Sequence, residues 1–365
     1  MIVFFVTTSI SYGGASKILC FVAEKMAALG HNVVIYNMRE TMTNERQLNE
    51  GIEIIHCKSS RTGIRRKLDQ VIEISKELSA RKPDIIVSFK FSPNYIATFL
   101  GKVHRIPVVI SERSDPSKEI KLDTIRDRIY WMIINSADGA VFQTVGAKKY
   151  YSSKLQKKSI VIGNPIKQVE NVISEDEIRF KQEKAIISVG RLVNSQKRYD
   201  VMIKGFEIFH KEHPDYHLRI FGSGADEQMI KKLIADQNLD NSVHLLGVTG
   251  NPQEEMRKCQ VFIITSDYEG IPNSLLEAMA IGMPVVATDC SPGGARMLVS
   301  NRINGILLGC GDSMGIADAL NELVNNEEIR VSFSKKASEV AIKFSPDKIG
   351  KDWADYLQFI QREYK

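Results

Sequence analysis

The chain alternates short apolar runs with amphipathic stretches, and this pattern occurs twice. In the first set, Ile2–Thr7 predicts a strand, and Ala15–Leu29 predicts a helix whose apolar residues follow one stripe. The pattern restarts with a predicted strand at Ala185–Gly190 and a predicted helix at Tyr199–Lys211. Strands that alternate with amphipathic helices are typical of βα units around a parallel sheet. We therefore predict an α/β fold made of two Rossmann-like domains.

The length of the chain agrees with two domains. A single hydrophobic core stops growing at roughly 250–300 residues, and this chain has 365. The polar segment Lys167–Glu183 predicts a linker, so we place the boundary near residue 170. Residues 1–170 then form the N-terminal domain and residues 171–365 the C-terminal one, and we expect the last helix to pack back on the N-terminal domain. Ligands of open α/β sheets bind beyond the carboxyl ends of the strands, so we expect the site in a cleft between two facing domains.

Composition and cysteine use exclude several classes of protein. With 43% hydrophobic and 25% charged residues, the chain has globular rather than disordered composition. Its five cysteines are odd in number and lack CxxC spacing, which predicts a reducing compartment, no disulfides and no zinc site. Uncharged stretches fall short of the ~18 apolar residues of a membrane helix, and the first residues lack the features of a signal peptide. We therefore expect a cytoplasmic protein.

The net charge of +5 is modest, but the cations are clustered. Residues 61–67 contain one group of Lys and Arg, and residues 148–158 contain a second group. Each group forms either a solvated face or a contact with an anionic surface, which is a membrane or a phosphate-bearing substrate. No nucleic-acid-binding motif accompanies the charge, so nucleic acid is not expected as a partner.

The segment from Tyr268 to Ala280 is the most informative part of the sequence. It follows an apolar strand, which puts Glu269 in a strand–helix loop and Glu277 about one turn inside the helix. Pro272 suits the first helical turn, and Gly282 suits the C-terminal cap. The N–H groups of such a loop and helix start stabilise a phosphate without a metal ion. The segment therefore predicts an anion site.

Four elements in chain order resemble the retaining, nucleotide-sugar-dependent glycosyltransferases of family 4, which have the GT-B fold of two facing Rossmann-like domains. The family signature is a pair of glutamates with seven residues between them, and the resemblance extends over nearly the whole chain. The matching segments are Gly13-Gly14-Ala15; Gly190-Arg191-Leu192 with Lys197 and Asp200; Ile220–Gly224 with Leu245–Gly247; and Glu269 with Glu277.

The resemblance implies a role for each matching residue. Arg191 and Lys197 would neutralise the diphosphate of the leaving nucleotide, which gains charge as the glycosidic bond breaks. Glu269 would accept hydrogen bonds from hydroxyls of the donor sugar, and Glu277 would accept them from the ribose. The remaining implied donor contacts are made by glycines or through backbone N–H groups: Gly14, Gly222, Gly247, Gly270, Ile271, Asn273, Ser274 and Leu275.

The N-terminal half departs from the common family pattern. Many members carry a histidine after the strand near residue 110, whereas Val109–Pro116 here resembles the "SER-x-DP" variant of transferases that build bacterial surface polysaccharides. Glu112, Arg113 or Asp115 would then orient the acceptor or the donor phosphate. The alternative is a tight turn with an internal Glu112–Arg113 ion pair. Asn94 lies in a predicted loop at another strand end and is also expected to face the acceptor.

The predicted activity is that of a retaining hexosyltransferase. It would move a hexosyl or N-acetylhexosaminyl unit from a nucleotide diphosphate sugar, with UDP as the expected carrier, to a glycan or polyprenyl-linked glycan in surface polysaccharide biosynthesis. A lipid-linked acceptor and the basic clusters predict a peripheral membrane contact at the inner face of the cell membrane. The chain contains no Asp-x-Asp, so we expect neither a metal requirement nor another cofactor.

Alternatives remain at this stage. The sequence is also compatible with a catalytically silent partner subunit that binds a nucleotide sugar. A sugar-nucleotide epimerase of the GT-B type is the other alternative. A dehydrogenase is disfavoured, because Gly222-Ser223-Gly224 lacks the third glycine of the dinucleotide fingerprint. The sequence leaves open the donor sugar, the acceptor and its linkage position, the oligomeric state, and the choice between front-face attack and double displacement.

Overall fold

The computed structural model of the protein describes residues 1–11, 14–40, 45–166, 169 and 171–364. They form two compact units: Met1–Pro165 with Asp347–Lys365, and Ile166–Pro346. Each unit contains one sheet, and all strand pairs in both sheets are parallel. The predicted pair of Rossmann-like α/β domains is confirmed.

The first unit has a seven-stranded sheet whose central strands are apolar on both faces. In chain order, its strands β1 to β7 are Ile2–Thr7, Asn32–Asn37, Ile52–His56, Ile85–Phe89, Val108–Glu112, Gly139–Phe142 and Ser159–Val161. Their order in the sheet is β3-β2-β1-β4-β5-β6-β7. Helices α1 to α7 are Gly14–Ala28, Gly63–Arg81, Phe91–His104, Pro116–Glu119, Ile125–Ile134, Val145–Tyr150 and Ser153–Lys157. The successive residues Phe4 and Phe5 of β1 are both fully buried, as expected for a parallel sheet covered on both sides.

The second unit repeats this plan with six strands. Strands β8 to β13 are Glu183–Val189, His217–Phe221, Val243–Leu245, Cys259–Ile264, Val285–Thr288 and Ile306–Leu308, in the order β10-β9-β8-β11-β12-β13. Helices α8 to α16 are Asn194–Lys197, Tyr199–His210, Glu227–Asp236, Pro252–Arg257, Asn273–Ala280, Gly294–Leu298, Ser313–Asn325, Glu327–Ser338 and Val340–Lys343. Helix α17 is Pro346–Tyr364.

The final helix, α17, packs within the first unit. The ring of Trp353 is completely buried and stacks on Phe89 of β4, with 5.7 Å between the ring centroids. The hydroxyl of Tyr356 accepts a hydrogen bond of 2.9 Å from the backbone N–H of Ala140. At Gly139, a Cβ would lie 2.6 Å from that hydroxyl, so a larger residue there would have to displace the Tyr356 side chain of α17.

The predicted linker is partly structured. Lys167, Gln168 and Glu170 lie outside the described residues, but a π-helical turn forms over Glu177–Lys181. Ser174 and Glu177 cap its start reciprocally: Ser174 N donates to Glu177 Oε2 at 2.8 Å, and Glu177 N donates to Ser174 Oγ at 3.2 Å. The prediction of a plain linker is wrong here because this capping box lies among polar residues that composition alone assigns to a loop. No helix in the described part of the chain is both long and apolar enough to cross a membrane.

Candidate functional site

Glycines bring three strand ends of the second unit together. Gly190 N donates to Phe221 O at 3.0 Å, and Gly222 N donates to Gly247 O at 2.7 Å, so the ends of β8, β9 and β10 are joined. Gly222 has a φ of +145°, and a Cβ on it would lie 1.8 Å from Gly190 O. Only glycine fits this position. The close backbone packing therefore explains Gly222, and Gly247 with its φ of +71° is also suited to glycine.

Lys197 and Glu269 form an ion pair beside these strand ends. Lys197 Nζ contacts Glu269 Oε1, and the two side chains are only 12% and 14% exposed. Ser266 Oγ also donates to Glu269 Oε1, at 3.3 Å. A poorly hydrated pair of this kind depends on its mutual attraction to offset the loss of water, and removal of either partner leaves a charge without compensation. The structure thus brings together two residues that the sequence analysis assigned to one site.

The backbone of Lys197 is held by a network of which the sequence analysis found Asp200 but missed the other members. Its neighbour Arg198 has a left-handed φ of +52°. The guanidinium of Arg198 donates to Asp200 Oδ2 and to Asp267 Oδ2, both at 3.0 Å. Although burial opposes the shift, Arg198 holds the pKa of Asp200 below its ordinary value. Thr265 Oγ1 donates to Lys197 O at 2.8 Å. The sequence signals for this network are Asp200 in the matching segment and the position of Asp267 shortly after a buried strand.

Arg191 lies at the same strand end but has a different environment. Its side chain is exposed, and Arg191 Nη2 donates to Gln196 Oε1 at 3.1 Å. Gln196 Nε2 in turn donates to Tyr268 O at 3.1 Å, next to Glu269. Gln196 therefore links Arg191 to the backbone of Tyr268, the residue before Glu269. The predicted role of Arg191 in binding phosphate stays a prediction.

The segment after Glu269 forms the expected loop and helix. Glu269 N donates to Ser291 O at 2.8 Å, which fixes the start of the loop. A Cβ on Gly294 would lie 1.4 Å from Gly270 O, so the loop backbone packs directly on the start of α13. Helix α12 begins at Asn273, one residue after Pro272, and Gly282 follows its end with a φ of +85°.

The side chains in this segment separate into two groups. Ile271 and Leu275 are buried in the core, which leaves their backbone groups as the means of contacting a ligand. Asn273, Ser274 and Glu277 are half-buried, and Glu277 lies about one turn inside α12 as predicted. In the first unit, Gly14 is the exposed first residue of α1, while its neighbour Gly13 lies outside the described residues.

Glu112 is a buried carboxyl group at the end of β5. It accepts hydrogen bonds from Arg113 N at 2.9 Å, from Ser114 Oγ at 3.1 Å and from the Tyr151 hydroxyl at 3.3 Å. Burial, reinforced by the nearby charge of Glu119, raises the pKa of Glu112 to about 7. A carboxyl group with this pKa can give up or take a proton near neutral pH.

The guanidinium of Arg113 is directed to another strand connection. It donates to Ile162 O at 3.3 Å and to Gly163 O at 3.4 Å, and it also contacts Asn164 Oδ1. Burial lowers the pKa of Arg113 to about 9. The structure therefore uses this side chain to hold residues 162–164 and does not show the Glu112–Arg113 side-chain ion pair that was the alternative.

Asn94 does not lie in a loop facing an acceptor. Helix α3 already begins at Phe91, and Asn94 is fully buried in its first turn. Ser88 Oγ donates to Asn94 Oδ1 at 2.8 Å, and Asn94 Nδ2 donates to Ser111 O at 3.4 Å. The amide ties the ends of β4 and β5 together, so the expected position of Asn94 was wrong. Its polarity reflects these internal hydrogen bonds.

Family comparisons identify the class of protein. Residues 12–168 match the model described as Glycosyltransferase Family 4, and residues 170–340 match Glycosyl transferases group 1. The chain belongs to the family 4 glycosyltransferases. One relative of this chain is an "Uncharacterized glycosyltransferase" from Haemophilus influenzae. The two sequences are 28% identical over a segment that covers 62% of this chain and 63% of the relative.

Two further comparisons concern ligands and fold. The chain is 32% identical to an N-acetylgalactosamine-N,N'-diacetylbacillosaminyl-diphospho-undecaprenol 4-alpha-N-acetylgalactosaminyltransferase of Campylobacter jejuni, over 55% of this chain and 54% of that protein. Its fold is similar to that of Anabaena Alr3699/HepE in complex with UDP, with a TM-score of 0.82, 19% identity, and coverage of 98% of this chain and 100% of the other. The chain therefore has the GT-B type of fold. The matched segments span less than two thirds of the length of the H. influenzae and C. jejuni relatives.

Proposed function

We propose that this glycosyltransferase moves a hexosyl or N-acetylhexosaminyl unit from a UDP-sugar to a glycan or polyprenyl-linked glycan, with retention, in surface polysaccharide biosynthesis. The observation that carries the proposal is the Lys197–Glu269 pair at the glycine-lined carboxyl edge of the second sheet. UDP in the HepE complex supports the choice of nucleotide. The name of the C. jejuni relative, a diphospho-undecaprenol transferase, supports the choice of acceptor.

The ion pair suggests how the donor is recognised. A diphosphate would exchange partners with the pair: Lys197 moves from the Glu269 carboxylate to the phosphate oxygens, and Glu269 is released to accept hydrogen bonds from sugar hydroxyls. Negative charge grows on the leaving diphosphate as the glycosidic bond breaks, so Lys197 interacts most strongly in the transition state. Arg191, which is exposed, would add a second cation.

The loop and the start of α12 would supply neutral donors. Gly270 and Ile271 lie in the loop, and backbone N–H groups at a helix start attract anions. The half-buried Glu277 would accept hydrogen bonds from the ribose. With Lys197 and these N–H groups acting on the diphosphate, the proposed reaction needs neither a divalent metal nor another cofactor.

The first unit would hold the acceptor. Glu112, with its pKa near 7, would accept a proton from an attacking hydroxyl, and Arg113 would hold the adjoining residues 162–164 in place. A polyprenyl-linked acceptor lies in a membrane, so the proposal places the enzyme in the cytoplasm at the inner face of that membrane.

A panel of sugar nucleotides tests the proposal. Thermal unfolding is measured with UDP-hexoses, UDP-N-acetylhexosamines and NAD, each with and without EDTA. A ligand at 100 times its dissociation constant stabilises a fold by about 2.7 kcal/mol. We expect stabilisation by one or more UDP-sugars that EDTA leaves unchanged. Stabilisation by NAD alone, or loss of the UDP-sugar effect in EDTA, would contradict the proposal.

A further inference from the structure

Arg198 has a backbone conformation that arginine seldom adopts. It lies between the end of α8 and the start of α9, with a φ of +52° and a ψ of +50°. In this left-handed region the Cβ of an L-residue lies too close to the backbone carbonyl, so glycine is the residue usually found there. An arginine at this position therefore needs contacts of its side chain to offset the cost of its backbone.

The guanidinium of Arg198 lies between two carboxylates. On one side, Nε and Nη2 donate to Asp200 Oδ1 and Oδ2, both at 3.0 Å. On the other side, Nη1 donates to Asp267 Oδ1 at 3.2 Å and to Oδ2 at 3.0 Å. The planar fork of an arginine fixes the orientation of the carboxylates that it binds, which the point charge of a lysine does not. We call these three residues the arginine clamp.

The arginine clamp joins the two chain segments that carry the ion pair of the site. Lys197 immediately precedes Arg198 in the chain. Glu269 follows Asp267 by two residues. The same two segments are joined a second time, because Thr265 Oγ1 donates to Lys197 O at 2.8 Å and to Arg198 O at 3.1 Å. The clamp therefore fixes the spacing of the two backbone positions from which the side chains of the ion pair extend.

The charge of Arg198 is neutralised inside the clamp. Its hydrogen bonds to Asp200 and Asp267 raise the pKa of Arg198 above its ordinary value. Two carboxylates face one guanidinium, so the clamp as a whole carries one negative charge. A group with this net charge repels a diphosphate. An effect of Arg198 on phosphate binding must therefore pass through the neighbouring Lys197.

We propose that Arg198 is a positioning residue that directs Lys197 to the diphosphate of the donor. The inference rests on the proposed function and deepens it. In the proposed exchange, Lys197 Nζ leaves Glu269 and contacts phosphate oxygens. The strength of such a charge-assisted hydrogen bond depends on distance and alignment. By holding the last residue of α8 in place, the clamp keeps Nζ within reach of the phosphate.

A second left-handed arginine provides a matched control. Arg302 has a φ of +60°, and its Nη1 donates to both carboxylate oxygens of Glu322, at 2.7 Å and 3.0 Å. It lies shortly before β13, at the amino edge of the second sheet, whereas the arginine clamp lies at the carboxyl edge. Arg302→Gly therefore removes the same side chain from the same type of backbone at a distance from Lys197.

Titration of UDP into the full chain, with no acceptor present, tests this proposal. Arg198→Gly should keep the turn, because glycine adopts left-handed backbone readily. We expect this variant to bind UDP about tenfold more weakly, as for loss of the Lys197 phosphate contact, and Arg302→Gly to bind UDP as the wild type does. Combined with Lys197→Ala, the Arg198→Gly change should cause no further loss, because a residue that acts through Lys197 then has nothing left to position.

Added guanidinium chloride gives an independent readout. A free guanidinium ion can take the place of the missing side chain between Asp200 and Asp267, whereas an ammonium ion lacks the planar fork. At a concentration that does not unfold the chain, guanidinium should restore UDP binding to Arg198→Gly. Ammonium chloride at the same concentration, which matches the ionic strength, should not.

Unchanged UDP affinity in Arg198→Gly would overturn the proposal. A further loss in the Lys197→Ala background would also overturn it, by making Arg198 a general support of the fold, and so would guanidinium that restores no more affinity than ammonium. These results concern the inference alone. A wild-type chain that binds no UDP, or a Lys197→Ala variant that binds UDP normally, would instead overturn the proposed function together with this inference.

Discussion

Lys197 and Glu269 are 72 positions apart in the chain, yet their side chains form one poorly exposed ion pair. Neither residue is an ordinary solvent-exposed charge, since both side chains are largely removed from water. In the proposed function, the pair exchanges partners with a ligand that carries both phosphate and hydroxyl groups. This assignment separates the two residues, because Lys197 would act on the nucleotide diphosphate and Glu269 on the sugar.

The Glu269→Gln variant separates these roles. Loss of the carboxylate should lower sugar transfer by at least about 100-fold, as for removal of an electrostatic partner in a transition state. Binding of UDP alone should be kept, because UDP lacks the donor sugar that Glu269 would contact and because Lys197 is freed. Transfer rates and UDP affinity are measured side by side, with the exposed Glu254→Gln as control. Equal loss of UDP binding and transfer would argue against separate roles.

Glu112 makes stability depend on pH. Its folded-state pKa of about 7 lies above its ordinary value of 4.5, so the folded state keeps a proton that the unfolded state releases. Stability from this group is therefore complete below pH 4.5 and falls as the pH rises towards 7, by up to about 3 kcal/mol. The Glu112→Gln variant should gain stability relative to wild type between pH 5 and pH 8 in urea unfolding. An unchanged difference between the two proteins at both pH values would contradict the shifted pKa.

In the proposed donor site, the loop before α12 packs backbone to backbone on the start of α13. Replacing Gly294 by alanine would push a Cβ into the carbonyl of Gly270, which begins the loop before α12. We expect the variant to lose about 1–3 kcal/mol of stability, as other overpacked sites do, and to lose UDP-sugar binding. At Gly250 a Cβ meets nothing within 4 Å, so Gly250→Ala is the matched control in denaturant unfolding. Normal stability and binding of the Gly294→Ala variant would show that the loop can shift freely.

Sequence periodicity predicts individual elements well in this chain. The strand predicted at Ala185–Gly190 is observed at Glu183–Val189, and the next predicted helix ends one residue early, at His210. Periodicity fails where contacts are distant in sequence. Asn94 was predicted in a loop facing the acceptor, because its partner Ser111 lies on a strand 17 residues later and leaves no local signal.

The same limit explains the incomplete prediction of the site. Glu269 and Lys197 were found through their motif spacing, which is a local property of the sequence. In the network around Lys197, Asp200 was found in the same motif, but the contact between Arg198 and Asp267 was missed because these residues are 69 positions apart and the left-handed backbone of Arg198 has no local sequence pattern. Hydrogen bonds between residues so far apart in the chain cannot be predicted from local sequence, because they form only when the sheet brings the strand ends together.

At the scale of the whole molecule, the C-terminal helix stabilises the unit that contains the N-terminus. Tyr356→Phe would leave the N–H of Ala140 without its partner, which costs about 1–3 kcal/mol. The two tryptophans, Trp131 and Trp353, both belong to the first unit, so their fluorescence reports its unfolding. We expect this transition to shift to lower denaturant in Tyr356→Phe and to stay in place for Phe359→Ala, which changes an exposed side chain of α17. Identical transitions for Tyr356→Phe and wild type would show that this hydrogen bond does not contribute to the stability of the first unit.

Binding of UDP to the Lys197 variant tests the central claim most directly. Isothermal titration of UDP would compare the wild-type chain with Lys197→Ala and with Lys204→Ala, which removes an exposed lysine of α9. We expect UDP to bind the wild type and Lys204→Ala equally in the presence of EDTA. The Lys197→Ala variant should bind UDP at least about tenfold more weakly, because it loses a charge-assisted hydrogen bond to phosphate. Wild-type affinity in Lys197→Ala would contradict the assignment of the Lys197–Glu269 pair as the nucleotide-sugar site.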